Sequence, residues 1–319
     1  MRIFTCITNI TNQQRCLALC GVVSIVIASS NLCVLAAANT SAATNTAVGV
    51  AIDRPAVTAR QASRATLLSA SRLGNAPNAR LIAVGERGLI IYSDDEGASW
   101  QQAKSPVSVT LTTVRFADAQ NGFAVGHAGV VLATQDGGLT WIKKLDGVKA
   151  AAIALAAAQQ NGDAKLIKDS ERLVADGGDK PFLDAVFFDA KNGFIVGAYN
   201  LAFSTQDGGD TWVSAMAQMD NPKGLHLNTL RVRGNTMLIA GEQGLVRVSE
   251  DRGRTFKRLN VPYQGSFFTA EIMSSDGSNL WLAGLRGNIW RSSDSGVTWG
   301  SVPSVTAASI TASAVKKLP

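Results

Sequence analysis

The chain has 319 residues, 46% of them hydrophobic, with 30 basic against 24 acidic side chains and a formal net charge of +6. Its four cysteines, Cys6, Cys16, Cys20 and Cys33, all lie near the N-terminus, and it has two histidines, His127 and His226. Beyond residue 38 this composition excludes disulfides, thiolate nucleophiles and Cys-ligated zinc, and no H-E-x-x-H spacing exists, so neither a metal nor another cofactor is expected. Removing Arg2 and Arg15 leaves 28 basic residues against 24 acids, a net of +4, and no basic stripe interleaved with aromatics appears, so a nucleic-acid partner is not expected either.

The first 38 residues read as an export signal. Arg2 and Arg15 precede an apolar run from Cys16 to Ala37, followed by the small-residue site Ala36-Ala37-Ala38 and a polar stretch from Asn39. The alternative is an uncleaved membrane anchor over residues 16–37, since that run approaches the length of a bilayer span. The residues before Cys20 and Cys33 lack the small residue expected ahead of a lipidated cysteine. The protein is thus expected in the periplasm or otherwise exported. Residues 39–64 form an N-terminal linker or strand.

From residue 65 to 302 one motif recurs five times. The copies run Ser93 to Trp100, Thr134 to Trp141, Thr205 to Trp212, Ser249 to Phe256 and Ser292 to Trp299, all fitting S/T-x-D-x-G-x-S/T-W/F. The motif aspartates Asp95, Asp136, Asp207, Asp251 and Asp294 are spaced by 41, 71, 44 and 43 residues, a period of one four-stranded propeller blade with one insertion. The aspartate accepts backbone N–H groups of its own turn, the glycine takes φ > 0, and the aromatic starts the next strand and packs between sheets. These residues are read as structural. Upstream of each turn, apolar runs flank a G-x-x-G turn, with Asn200 replacing the second glycine in the third copy, and form strands B and C. Segments such as Thr110 to Gly122 and Leu183 to Gly193 supply strand A, ended by an Asn-Gly turn.

The insertion, residues 147–180, reads as a helical hairpin: an Ala-rich helix over Val148 to Gln160, then a second helix capped by Asp163 and running through about Ala175. It connects strand D of one blade to strand A of the next. Because strands alternate in direction, it stands over the face bearing the G-x-x-G tips, and Arg87, His127, Tyr199 and Arg286 are read as equivalent tips forming a partner-binding face. Arg247, Arg252, Arg254, Lys257 and Arg258 crowd the fourth repeat, either as a solvated outer strand and turn or as a patch for an acidic partner. The tail, residues 303–319, contains a stretch resembling a sixth strand A and is expected to close the ring, so the architecture is an all-β propeller of five complete blades and a partial sixth.

Repeats reading F-x-D-x-x-N-G-[FW]-x-V-G-x-x-G, followed by the Asp motif, resemble the Asp-box (BNR-like) propellers of the photosystem II stability/assembly factor family. The likeness covers about Leu81 to Ser301 and is fullest over Phe116 to Trp141 and Phe187 to Trp212. The resemblance implies a non-catalytic assembly or binding module for a protein partner, a membrane-protein or cell-envelope complex, located in the thylakoid lumen if the source is phototrophic. The alternative is a sialidase-type glycoside hydrolase, which also carries Asp boxes. That chemistry needs an arginine cluster, a Tyr/Glu pair and an acid/base aspartate. Tyr263 with Glu271, and the Arg54-Pro55 dipeptide, are the available candidates.

Overall fold

The structure, a computed structural model, describes residues 51–74, 76 and 78–315; the expected leader lies outside them. Five separate four-stranded antiparallel sheets are each built in chain order from inner to outer strand. The first blade holds β1 (Leu67–Arg72), β2 (Leu81–Gly85), β3 (Ile90–Ser93) and β4 (Gln101–Gln102). The second holds β5 (Leu111–Phe116), β6 (Gly122–Gly126), β7 (Val131–Thr134) and β8 (Ile142–Leu145). The third holds β9 (Phe182–Phe187), β10 (Gly193–Gly197), β11 (Ala202–Thr205) and β12 (Val213–Ser214). The fourth holds β13 (Leu227–Arg233), β14 (Thr236–Gly241), β15 (Val246–Ser249) and β16 (Lys257–Arg258), and the fifth β17 (Phe267–Ile272), β18 (Leu280–Gly284), β19 (Ile289–Ser292) and β20 (Gly300–Val302). Between the second and third blades stand α1 (Gly147–Asn161) and α2 (Ala164–Ala175).

In the second, third and fourth blades the middle strands are buried on both faces because each of these blades is sandwiched between two others. Side chains of alternate parity therefore pack against the following and the preceding blade. Ile82, Val84 and Ile90 of the first blade meet Val114, Ala124, Leu132 and Trp141 of the second. The Asp-box glycine is part of this packing: a Cβ on Gly138 would strike Ile82 of the preceding blade, and one on Gly209 or Gly253 would sit against Phe123 or Phe194. Outer strands β4, β12 and β16 are short and largely exposed.

Two local devices repeat. In each Asp box the aspartate accepts from the backbone N–H and hydroxyl of the residue four positions on, as Asp136 does from Thr140 at 3.0 and 2.5 Å. The Ser or Thr two residues before it donates to the carboxylate and accepts from the glycine N–H, as Thr134 does with Asp136 and Gly138. The indole of each motif tryptophan then donates to that glycine's carbonyl. At the other end, the first glycine of each G-x-x-G turn has no room for a Cβ because the carbonyl preceding strand A lies there: Thr66 against Gly85, His226 against Gly241, Ser266 against Gly284. The residue after that glycine donates its N–H to the same carbonyl.

The Asn-Gly turn expected after strand A is made differently. Asp118 accepts from the N–H of Gln120 and Asn121, and Asp189 does the same for Lys191 and Asn192. Gly122 and Gly193 lie in the strands, where a Cβ would strike the rings of Phe116 and Phe187. Their requirement is close packing, not a left-handed conformation.

The two ends of the blade series are treated differently. β1 is largely exposed, with Leu67 and Leu68 open to solvent, whereas the opening residues of β5, β9, β13 and β17 are fully buried. Among the described residues no hydrogen bond joins the first blade to the fifth. The outward face of the first blade, Ala83, Leu89 and Ile91, is covered by Ala62 and Ala65 of the N-terminal segment. That segment, expected as linker or strand, forms no strand over 51–65 and holds the chain through Ser108 N–H to Ala51 and Ala56 N–H to Ser105.

Candidate partner-binding face

The hairpin is built as its sequence indicates. Asp146 caps α1 by accepting from Lys149 N–H, and Asp163 caps α2 by accepting from Lys165 and Leu166 N–H. Ala150, Ala151, Ala154 and Ala158 are buried together with Ser170 and Leu173 of α2. At its base Gly129, Gly147 and Gly178 cross so closely that no Cβ fits at any of the three. The hairpin is thereby seated directly on the G-x-x-G turn of the second blade.

The tips are not all equivalent in the way the sequence spacing implies. In each turn the residue just before the second glycine position is in the left-handed region: Arg87, Ala128, Tyr199, Gln243 and Arg286, with φ of 50–56°. His127 is one residue earlier, in register with Glu86, Ala198, Glu242 and Leu285. The structural equivalent of Arg87, Tyr199 and Arg286 in the second blade is therefore Ala128. It is buried, while His127 is exposed beside it. Ala128 contacts the base of the hairpin through its carbonyl, which abuts Gly147.

Around Tyr199 the face carries several polar groups. The ring is half-exposed and packs edge-on against His226 with centroids 4.8 Å apart. The Lys180 ammonium lies 5.1 Å from the ring centroid and pairs with Asp176 and Asp179 at 3.0 and 2.7 Å. Burial works against the Lys180 charge, but its hydrogen bonds to Asp179 and Asp176 win and raise its pKa. Glu242 accepts from His226 N–H at 2.9 Å.

The sequence did not single out the charges around the propeller axis. Asp184, fully buried on β9, accepts from Arg115 of the second blade at 2.9 Å and from Arg231 of the fourth at 2.6 Å, and also from the N–H groups of Ala185 and Leu230. Burial alone would raise the Asp184 pKa, but the two guanidiniums and backbone donors hold it below the usual carboxylate range. Arg231 in turn lies 3.7 Å from Glu271 of the fifth blade, and Glu271 accepts from Ser313. The signal was available: Asp184 occupies the place held by Ser69, Thr113, Thr229 and Thr269 in the other inner strands.

The basic cluster of the fourth repeat does not form one patch. Arg247 is 2% exposed and clamps the chain by donating to the carbonyls of Met219 and Asp220. Arg252 bonds Asn235 and lies over Phe188, Arg254 bonds the Asp251 carbonyl, and Lys257 pairs with Glu250. Nor are Tyr263 and Glu271 paired: the phenol donates to the Leu285 carbonyl, whereas Glu271 belongs to the axial charge chain. Arg54 donates to Ser108. Among the described residues no group of three or more His, Cys, Asp or Glu side chains is placed to hold a metal ion, and no helix is long and apolar enough to cross a membrane.

A family model described as photosynthesis system II assembly factor YCF48 matches residues 92–180 and 172–316, well over half the chain. The chain belongs to this YCF48 family. A relative described as photosystem II assembly lipoprotein Ycf48, from Synechococcus sp. (strain CC9902), is 30% identical over 121 residues, which is 37% of this chain and 35% of the relative. The chain thus aligns with about a third of that relative's length. Among solved structures, a GH74 enzyme from Niastella koreensis matches with a TM-score of 0.53 and 14% identity over 74% of this chain and 38% of that one. At that identity the likeness is one of fold, the blade-built propeller. A structure described as YCF48 bound to D1 peptide has a TM-score of 0.49 and 15% identity over 74% of this chain and 66% of that chain.

Proposed function

We propose that this YCF48-family chain is an exported, non-catalytic propeller that serves as a binding scaffold in the assembly of a membrane-protein complex, photosystem II where the source is phototrophic. The observation that carries the reading is family membership: the match spans all five Asp boxes, and the family's description is that of an assembly factor. The Synechococcus relative, described as an assembly lipoprotein, supports both the role and the export. Support for a non-catalytic role comes from the chemistry. The Asp-box carboxylates are engaged by their own turns, Asp184 and Glu271 by arginines, and Tyr263 by a carbonyl, so the Tyr263 and Glu271 pair that hydrolase chemistry would use is not formed.

The proposed binding face is the G-x-x-G side, with Arg87, His127, Tyr199 and Arg286 exposed on it beside the hairpin. The test is capture of membrane complexes from the source organism by the purified mature chain and by an Arg87→Ala, Tyr199→Ala, Arg286→Ala variant. Weaker capture at unchanged melting temperature supports the reading. Unchanged capture, or crosslinks confined to the Asp-box side, refutes this face.

A further inference from the structure

Residues 306–313 lie where the approach to, and the start of, a sixth inner strand would lie. A Cβ on Gly88 would meet the Val107 carbonyl and one on Gly244 the Tyr263 carbonyl, and strand A of the following blade begins four residues later, at Leu111 and Phe267. Gly287 meets the Thr306 carbonyl in the same way, and four residues on is Ile310, which is buried. The next contact also repeats. Val114 N–H donates to Ser69 and Leu230 N–H to Asp184, in each case from the fourth residue of strand A to the third residue of the preceding one. Ser313, fourth from Ile310, bonds Thr269, third in β17, at 2.6 Å. The glycine–carbonyl contact, the burial of Ile310 and the residue match of Ser313 to Thr269 thus agree, the last made between two hydroxyls in place of an N–H and a side chain.

Among the described residues, 311–315 nevertheless pair with no strand, and Val315 is exposed. The fifth blade is likewise unfinished on this side. The positions that Ile82, Val84 and Ile90 fill in the first blade, fully buried, are filled here by Trp281, Ala283 and Ile289, all only partly buried. Arg291 folds over the Trp281 ring, 5.5 Å from its centroid. Trp281 stands where Ile82, Phe123 and Phe194 each receive the Asp-box glycine of the following blade.

We propose that this edge docks an extended segment of a partner protein, which adds as an antiparallel strand beside residues 310–315 and lays small aliphatic side chains on Trp281 and Ile289. The occupant's chemistry follows from continuity with the blade interfaces already in the chain. The strand beside each inner strand is antiparallel, and the residues it sets on the preceding blade are aliphatic, Ala124 and Ile239 among them. Addition of a strand to an exposed edge supplies affinity through main-chain hydrogen bonds and specificity through alternate side-chain pockets. This inference rests on the scaffold reading, and it names a different surface from the G-x-x-G tips.

The test uses a defined probe, a peptide copied from residues 122–134 of this chain, and the mature protein carrying Ala312→Cys, which has no other cysteine from residue 39 onward. In the repeat register Ala312 faces the position of Val125. With each peptide cysteine carried as its 2-thiopyridyl mixed disulfide, which the Ala312→Cys thiolate attacks with release of 2-thiopyridone, the expected result is capture of the Val125→Cys peptide about tenfold faster than of the Ala124→Cys peptide, whose sulfur is on the other face, with that preference lost in a folded Trp281→Glu variant. Equal capture of both peptides, no capture, or insensitivity to Trp281→Glu overturns the proposal. A dimer in light scattering that Trp281→Glu dissolves also overturns it, assigning the face to a second copy. Because no membrane complex is present, this outcome is independent of whether the tip residues capture one.

Discussion

Arg231 donates to Asp184 across the boundary between the third and fourth blades at 2.6 Å, and Arg115 donates to the other carboxylate oxygen from the second blade at 2.9 Å. One buried carboxylate therefore ties three blades at the axis. Removing it strands two partly buried guanidiniums, and breaking a buried pair by deleting one partner costs about 3–5 kcal/mol. Asp184→Asn is expected to fall toward the lower end, since both arginines retain some solvent contact. Denaturant unfolding measures this, and the costs of Asp184→Asn and Arg115→Met should be strongly non-additive. Additive costs would mean that the pair is not coupled.

Asp136→Ala and Asp207→Ala each remove the acceptor for a backbone N–H and a hydroxyl in an Asp box. A loss of roughly 1–3 kcal/mol is expected for a donor left without a partner, nearer the low end because these turns are solvated. Melting curves and partner capture on the same variants separate stability from binding. Loss of capture at an unchanged melting temperature would make the Asp box a functional site.

Acid should weaken the same turns. Asp95, Asp207 and Asp294 are held at about 2, chiefly by the hydroxyls of Ser99, Thr211 and Thr298. For Asp136 and Asp251 burial is the largest influence and acts upward, but the turn donors together bring these also to about 2. A depressed folded pKa contributes stability that is present above the unfolded value of about 3.9 and disappears as pH falls through the folded one. The denaturation midpoint should drop between about pH 4 and pH 2, and less steeply in an Asp136→Asn, Asp207→Asn variant. An equal acid response in that variant would assign the drop to other carboxylates.

Deleting residues 303–319 uncovers the flank of the fifth blade, where Ile310 bonds Gly284 of β18 and Ser313 bonds Thr269 and Glu271 of β17. An exposed sheet flank and edge favour association, so the truncated chain should melt lower and elute as oligomers in size-exclusion chromatography with light scattering. A truncated chain as stable and monomeric as the full one would show that the tail contributes nothing to the fold.

What the sequence determined by itself is what lies within a blade. The Asp-box turn is closed by bonds between residues two to four apart, as from Asp136 to Thr134 and Thr140, and the hairpin caps by bonds two or three residues long. Such contacts need particular residue types at fixed spacing, so five copies are legible in a single chain. The tertiary structure decided what lies between blades. Asp184 finds partners 69 and 47 residues away, Arg247 is drawn inward by carbonyls 27 and 28 residues back, and Ser313 reaches Thr269 over 44 residues. The tip register was decided there too, since Arg87 and Ala128 are matched by backbone conformation while His127 only neighbours it. These contacts depend on how one twisted sheet is rotated against the next, a quantity set by the packing of whole faces and carried by no short motif.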